Sequence, residues 1–344
     1  MNTSTTSTAM VGVYKNSITF IKKMKNKTIR RVLSSLSMAV FMLLTSFSMQ
    51  GQDVINSKYG GVQIGAITYS FRDIMEVPAV QQACVDAGLS SVELMGTGIE
   101  EYLGAPKNPL SFREVRRLDE QSDEKKEAYA NYQQDIRTWR YAEETMQKYA
   151  GLKKEFNDAG VKIHIYKWIA GMSDEELDYS FKVAKTLGAI GITTEIGEEN
   201  CTKVGAAAER AGMLAIFHNH FQFAEEDFDV DKLLALNPAN RLNFDIGHYF
   251  GSTGKDPVAF IEKYHAQIAS IHVKDKTAKD NPVKGNENKP FGQGETPVVE
   301  VLQLIQANNW PIFCDIELEY KIPEGSNSVK ETGICREYCM KALL

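Results

Sequence analysis

Residues 312–319 read Ile312-Phe-Cys-Asp-Ile-Glu-Leu-Glu319. With the period of two that a strand imposes, Ile312, Cys314, Ile316 and Leu318 share one face. Phe313, Asp315, Glu317 and Glu319 share the other. The first face suits packing against helices, and the second suits the axis of a closed sheet. Seven further short apolar runs precede this one, at 63–69, 91–95, 162–166, 191–196, 214–218, 242–246 and 269–273. Amphipathic stretches separate them, at 78–87, 123–159, 173–187, 203–211, 229–236, 257–267 and 297–308. Ser173 with Glu176 three residues later fits a capping box, and Thr296-Pro297 places proline at a first helical position. Gly160 and Gly188 fit helix C-terminal caps.

Strand–helix alternation predicts a parallel sheet, and eight repeats in about 290 residues predict a single (β/α)8 TIM barrel. A doubly wound open sheet would carry a glycine-rich phosphate turn after its first strand. Here Gly60-Gly61 precedes that strand. The surplus residues, 96–140 and 274–296, follow strand ends, where such barrels build their pockets, so they read as pocket walls or lids.

The charge divides the chain. Of 39 basic residues, Lys15, Lys22, Lys23, Lys25, Lys27, Arg30 and Arg31 lie in the first 50 positions, which hold no acid. A run of about a dozen apolar or small residues, 36–47, comes next, and then Ser-Met-Gln-Gly-Gln. That order is the layout of a secretory signal. The run falls short of the roughly 20 residues that span a bilayer, and no cysteine stands after it to carry a lipid. Met24 offers an alternative start, and an uncleaved anchor is the other reading. The expected division is a leader over 1–51 and the barrel over 52–344, exported to the periplasm, with no stable membrane insertion after cleavage. The formal charge of −6 then becomes about −13, with about 32 basic residues facing 45 acidic ones. Such a surface argues against nucleic acid and for a small-molecule partner, leaving homo-oligomerisation open. Cys84, Cys201, Cys314, Cys335 and Cys339 are odd in number. Cys84 and Cys314 sit in apolar contexts that suit buried thiols, and Cys335 and Cys339 lack zinc-ligand spacing.

His218, His220, His248 and His272 all fall at or just beyond strand ends. Alternation turns Glu195 inward with Thr193, Asp245 with Asn243, and His272 with Ser270 and Lys274, opposite Ala269, Ile271 and Val273. With Glu317 these make three carboxylates and an imidazole on one axis, a donor set for one divalent ion such as Mn²⁺, Mg²⁺, Co²⁺ or Zn²⁺. A single acid at a strand end is more often an ion-paired barrel residue. The shared inward parity of four residues is what favours a metal.

Several segments resemble the xylose-isomerase-like TIM-barrel superfamily, in its sugar isomerase/epimerase branch. They are Ile67-Thr-Tyr-Ser-Phe-Arg-Asp73, Val92-Glu-Leu-Met95, Val161-Lys-Ile-His-Ile-Tyr166, Phe217-His-Asn-His220, Asp245-Ile-Gly-His248, His272-Val-Lys-Asp275 and Ile316-Glu-Leu-Glu319. The resemblance implies a metal held by Glu195, Asp245, His272 and Glu317, with His248 beside the substrate. It implies a sugar isomerase or epimerase, and the expected export argues for an unphosphorylated sugar. Glu195 and Glu317 would exchange the proton through an enediolate, and His248 or His220 would bond a substrate oxygen. Tyr69, Phe71, Arg72, Glu93 and Trp168 would shape the sugar pocket with His218, and packing in core or rim is an equal reading for those five. Ketose 3-epimerases usually carry an arginine where this chain has Lys274-Asp-Lys-Thr-Ala-Lys279, which gives Lys274 the oxyanion role. Two alternatives stand beside isomerisation: a 3-keto-glycoside lyase or hydrolase using the same proton abstraction, and a non-catalytic carbohydrate-binding barrel. His164 reads as structural.

Overall fold

The computed structural model describes residues 55–74 and 76–344, so the expected leader lies outside the described residues. Eight parallel strands, numbered in chain order, are β1 Val62–Ile67, β2 Ser91–Met95, β3 Lys162–Lys167, β4 Gly191–Glu195, β5 Leu214–His218, β6 Asn240–Asp245, β7 Ile268–Val273 and β8 Phe313–Ile316. Each pairs with the next, and β8 returns to β1 with Asp315 opposite Gly65. The sheet is closed and ringed by helices, a (β/α)8 TIM barrel. Among the described residues, no helix is long and apolar enough to cross a membrane.

The helices match the sequence pattern where one face is apolar. The helix Asp174–Leu187 starts with the expected capping box and ends on Gly188 at φ +87°. The stretch 123–159 is two helices, Asp123–Arg140 and Thr145–Asp158. Pro297 is the N-cap of Val298–Asn308, one position earlier than expected. The helix that closes the ring, Ser328–Leu343, has no clear apolar period. Its buried face runs Ser328, Glu331, Thr332, Cys335, Cys339 and Leu343, so polar residues interrupt the signal. Glu331 accepts the Tyr320 hydroxyl at 2.8 Å, which makes its burial tolerable. All five cysteines are free and buried.

Two irregularities in strand pairing set which residues face the axis. Between β2 and β3, Val92 pairs Ile163 and Glu93 pairs Ile165, so His164 is passed over. Between β6 and β7, Leu242 pairs Ile268 and Asn243 pairs Ser270, so Ala269 is passed over. A bulge turns two successive side chains to the same side. Ile165, Ile216 and Ala269 accordingly form a small apolar cluster, apart from the main core between sheet and helices. Ala269 was expected to face outward with Ile271 and Val273, and the bulge corrects that. Next to this floor, His164 bonds Ser91 Oγ through Nδ1 and Asp315 Oδ2 through Nε2, each at 2.8 Å, and stacks on Phe313. The imidazole thus engages Asp315 away from Glu317 and Glu319, the acids that follow β8.

Gly65 makes that arrangement possible. A Cβ there would collide with Asp315 Oδ1 and lie 2.9 Å from the Ser91 carbonyl oxygen. Gly65→Val is expected to lower the unfolding free energy by about 2–3 kcal/mol through overpacking. Urea titration checks this, and a loss under about 1 kcal/mol would show slack at the axis.

Candidate active site and metal centre

The site is built where the strands end. Asp245 closes β6 and at once caps the helix Ile246–Thr253, its Oδ1 accepting the His248 N–H at 2.7 Å. Capping consumes one carboxylate oxygen and leaves Oδ2 for the axis. Helical side chains lean toward the N-terminus, which returns the His248 imidazole to the strand ends. Asn219 fixes the junction by accepting the Asp245 N–H at 3.0 Å.

Lys274, one residue beyond β7, lies at the centre. Its Nζ is 2.9 Å from Asp245 Oδ2, 2.9 Å from Glu317 Oε2 and 2.8 Å from Glu319 Oε2. It also donates to His248 Nε2 at 2.9 Å. Burial opposes its charge, but the three acids hold its pKa above the ordinary lysine value. Burial, with Lys274 and Lys276 nearby, depresses His248 to about 2, so this imidazole is neutral. Its Nε2 accepts, and its Nδ1 is buried without a partner.

Beneath Lys274, His272 bridges two buried glutamates, with Nδ1 3.0 Å from Glu317 Oε2 and Nε2 2.9 Å from Glu93 Oε2. Burial alone would lower its pKa, but Glu317 and Glu93 raise it to about 10. Glu317 is held well below the carboxylate range against its burial, by Lys274 and His272. Asn243 donates to Glu93 at 2.8 Å.

Glu195 stands apart. Its Oε1 is 3.1 Å from Lys167 Nζ and its Oε2 3.0 Å from His220 Nδ1. Although partial burial opposes ionisation, the hydrogen bond to His220 and the charge of Lys167 keep it ionised. Its side chain is 46% exposed, against 8% for Glu317. His220 is raised by that same hydrogen bond.

The structure therefore distributes the expected residues unevenly. Asp245 and Glu317 meet at Lys274, His272 touches Glu317, and Glu195 faces His220 and Lys167 instead. His218, Asp245, His248 and Glu317 bring ligand atoms within 4.8 Å of one another. Two carboxylates and two imidazoles suit a divalent ion, and the unpartnered His248 Nδ1 in the same buried cluster agrees with that fit. Glu93, expected in the pocket wall, is fully buried and engaged by His272 and Asn243. Tyr69 and Arg72 line an apolar cavity of about 290 Å³ with Phe71, Leu94 and Met95. The Arg72 guanidinium lies over the Tyr69 ring and donates to the Leu318 carbonyl. Lys167 and Glu319 were not expected as site residues. Glu319 shares the inward parity of Glu317, whereas Lys167 turns inward only because of the β3 bulge.

His272 gives a pH prediction. Its folded pKa, about 10, lies above the ordinary 6.5, so its stabilisation is fully present below pH 6.5 and is lost as pH rises through 10. The deficit of His272→Gln relative to wild type, expected to be several kcal/mol near pH 6, should shrink toward pH 10. Denaturant midpoints across that range check it, and a constant deficit would contradict the charge assignment.

Residues 192–337 match the family described as xylose isomerase-like TIM barrel. Among curated proteins the chain is similar to an inosose dehydratase of Clostridium perfringens. The two are 27% identical over 155 residues, which cover 41% of this chain and 52% of that protein. The chain thus spans about half the length of the curated relatives it matches. Among solved structures it is similar to a probable 3-DHS dehydratase from Bacillus anthracis, with TM-score 0.54 and 15% identity over 80% of this chain and 98% of that one. It is also similar to the IOLI protein, solved with a bound zinc atom, with TM-score 0.53 and 11% identity over 82% and 99%. These two likenesses carry the fold. The family model thus covers residues 192–337 alone, and the closed (β/α)8 barrel that holds them is the fold it describes.

Proposed function

We propose that this barrel is a lyase that removes the proton beside a carbonyl in an unphosphorylated, polyhydroxylated substrate of sugar, glycoside or cyclitol type. The observation that carries the reading is the inequality of the two glutamates. Inverting a stereocentre needs a second base on the opposite face to return the proton. Glu317 is sealed between the His272 imidazolium and a second cation, the Lys274 ammonium or an ion in its place, which ill suits it to that role. Glu195, whose side chain is far more exposed, is the base in this reading.

With one accessible base, the proton passes to Glu195, and the C–H electron pair forms a double bond to the neighbouring carbon. The C–O bond on that carbon breaks. The departing oxygen takes a proton from His220, 3.0 Å from Glu195, and leaves as water or as an alcohol. Lys167 orients Glu195 from the side away from His220 and keeps it ionised. A divalent ion held by Asp245, Glu317, His218 and His248 would supply positive charge that acidifies the carbon beside the carbonyl. The inosose dehydratase relatives, similar over 41% of the chain, support elimination, and the zinc in the IOLI structure supports an ion in such a barrel. The basic leader, read as an export signal, supports an unphosphorylated substrate.

Isomerisation or epimerisation, the first expectation from sequence, is the second reading, because all the residues it needs are present. Incubation with an inosose, and separately with 3-keto-glycosides, in D₂O distinguishes the two. Elimination gives a product absorbing in the ultraviolet, whereas deuterium uptake with an epimer or isomer gives the case to isomerisation. Neither outcome with any substrate would leave a carbohydrate-binding barrel. Glu195→Gln is expected to cut turnover by about 10²–10⁴-fold with an unchanged circular dichroism spectrum. Chelation should abolish turnover and added Mn²⁺ or Zn²⁺ restore it.

A further inference from the structure

We infer that Lys274 is a resident cation of the acidic centre, and that a divalent ion and its ammonium group compete for the same carboxylates. This rests on the metal-assisted reading above. Three of the four Nζ contacts, Asp245 Oδ2, Glu317 Oε2 and His248 Nε2, belong to residues of the cluster that suits an ion. An ion bonds such donors at about 2.0–2.2 Å. Asp245 spends its other oxygen on the helix cap, so an ammonium 2.9 Å from Oδ2 leaves no room for an ion on that oxygen, and the same holds at Glu317 Oε2; one cation must yield to the other there.

The geometry also gives the displaced group a destination. The fourth contact, Glu319 Oε2 at 2.8 Å, lies outside the ion cluster and nearer solvent, its side chain 22% exposed. Asn288 Nδ2 lies 3.4 Å from the same oxygen and helps hold it. The base of the Lys274 side chain is fixed, because it packs against Gly247 so closely that a Cβ there would lie 2.9 Å from Lys274 Cβ and 3.0 Å from Cγ. Only the end of the chain is left to swing, from Asp245 and Glu317 toward Glu319. Lys274 thereby sets the affinity for the ion. The incoming ion brings two charges and displaces one. On reaching Glu319 the ammonium stands at the rim, where a substrate oxygen can take a hydrogen bond from it.

A long-range repulsion would also weaken ion binding, so the test separates contact from charge. Lys276 is buried nearby, and its ammonium makes no ion pair or hydrogen bond among the described residues. The full chain is stripped with chelator and titrated with Mn²⁺, reading free ion by electron paramagnetic resonance. Lys274→Ala should bind Mn²⁺ at least about tenfold more tightly than wild type, and Lys276→Ala within about threefold of it. Propylammonium, which can refill the space of the removed chain, should weaken Mn²⁺ binding to Lys274→Ala and leave wild type unchanged. It should also raise the melting temperature of that variant, as Mn²⁺ should. Should the alanine variant not fold, Lys274→Gln carries the same affinity prediction with the chain volume kept.

Equal Mn²⁺ affinity in wild type and the Lys274 variant would overturn the competition and leave the metal reading standing. So would an equal gain in Lys276→Ala, or propylammonium without effect. No Mn²⁺ binding by any of these proteins would overturn both.

Discussion

A buried ammonium surrounded by acids fixes the upper end of this barrel. Lys274 is 1% exposed and reaches Asp245 on β6, Glu317 and Glu319 beyond β8, and His248 on the helix after β6. Removing charges from water is costly, and breaking one buried pair strands its partner. Three strand ends and a helix start must therefore keep their mutual positions for any of these charges to be tolerable. His272 repeats the principle one layer down, where an imidazolium between Glu93 and Glu317 ties β7 to β2 and β8. The rigidity of the site comes from electrostatic necessity, with the apolar floor of Ile165, Ile216 and Ala269 in the barrel interior.

Much of this was legible in the sequence, for identifiable reasons. All eight strands stand where short apolar runs met turn signals, and β2 and β5 match the expected bounds. The parity rule holds along β8, where nothing interrupts the alternation. It fails at His164 and Ala269, where pairing skips one residue. A bulge is decided by how two neighbouring strands fit, so the sequence of one strand does not announce it. Lys167 was hidden for that reason, since continuing the parity from His164 would turn it outward. The helix Ser328–Leu343 was hidden for another, because its buried face spends Ser328, Glu331 and Thr332 on polar contacts.

The acids show the same boundary between legible and hidden. That Asp245, His272 and Glu317 turn toward one axis is a consequence of strand period alone. Which partner each one takes depends on distances of a few tenths of an ångström across four elements. Asp315, Glu317 and Glu319 look equivalent in the sequence of β8 and its extension, yet His164 takes the first, His272 and Lys274 share the second, and Lys274 with Asn288 holds the third. The chain separates them by depth. Asp315 is deepest and structural, Glu319 is at the rim, and Glu317 sits where the two layers meet.

Depth also separates the two glutamates that an exchange of protons would use. Glu195 ends β4 on the open side of the barrel mouth, with Lys167 and His220 holding its two oxygens. Glu317 stands just beyond β8 where two cations converge, and a base held that way gives up reach for order. The same scaffold can then host different outcomes without moving a strand. An open second base would return the proton to the opposite face and invert the centre. A sealed one leaves the electron pair to expel a neighbouring oxygen. On the proposed reading, the strand-end residues serve a first step common to both outcomes, and the packing around Glu317 tips the second step toward elimination.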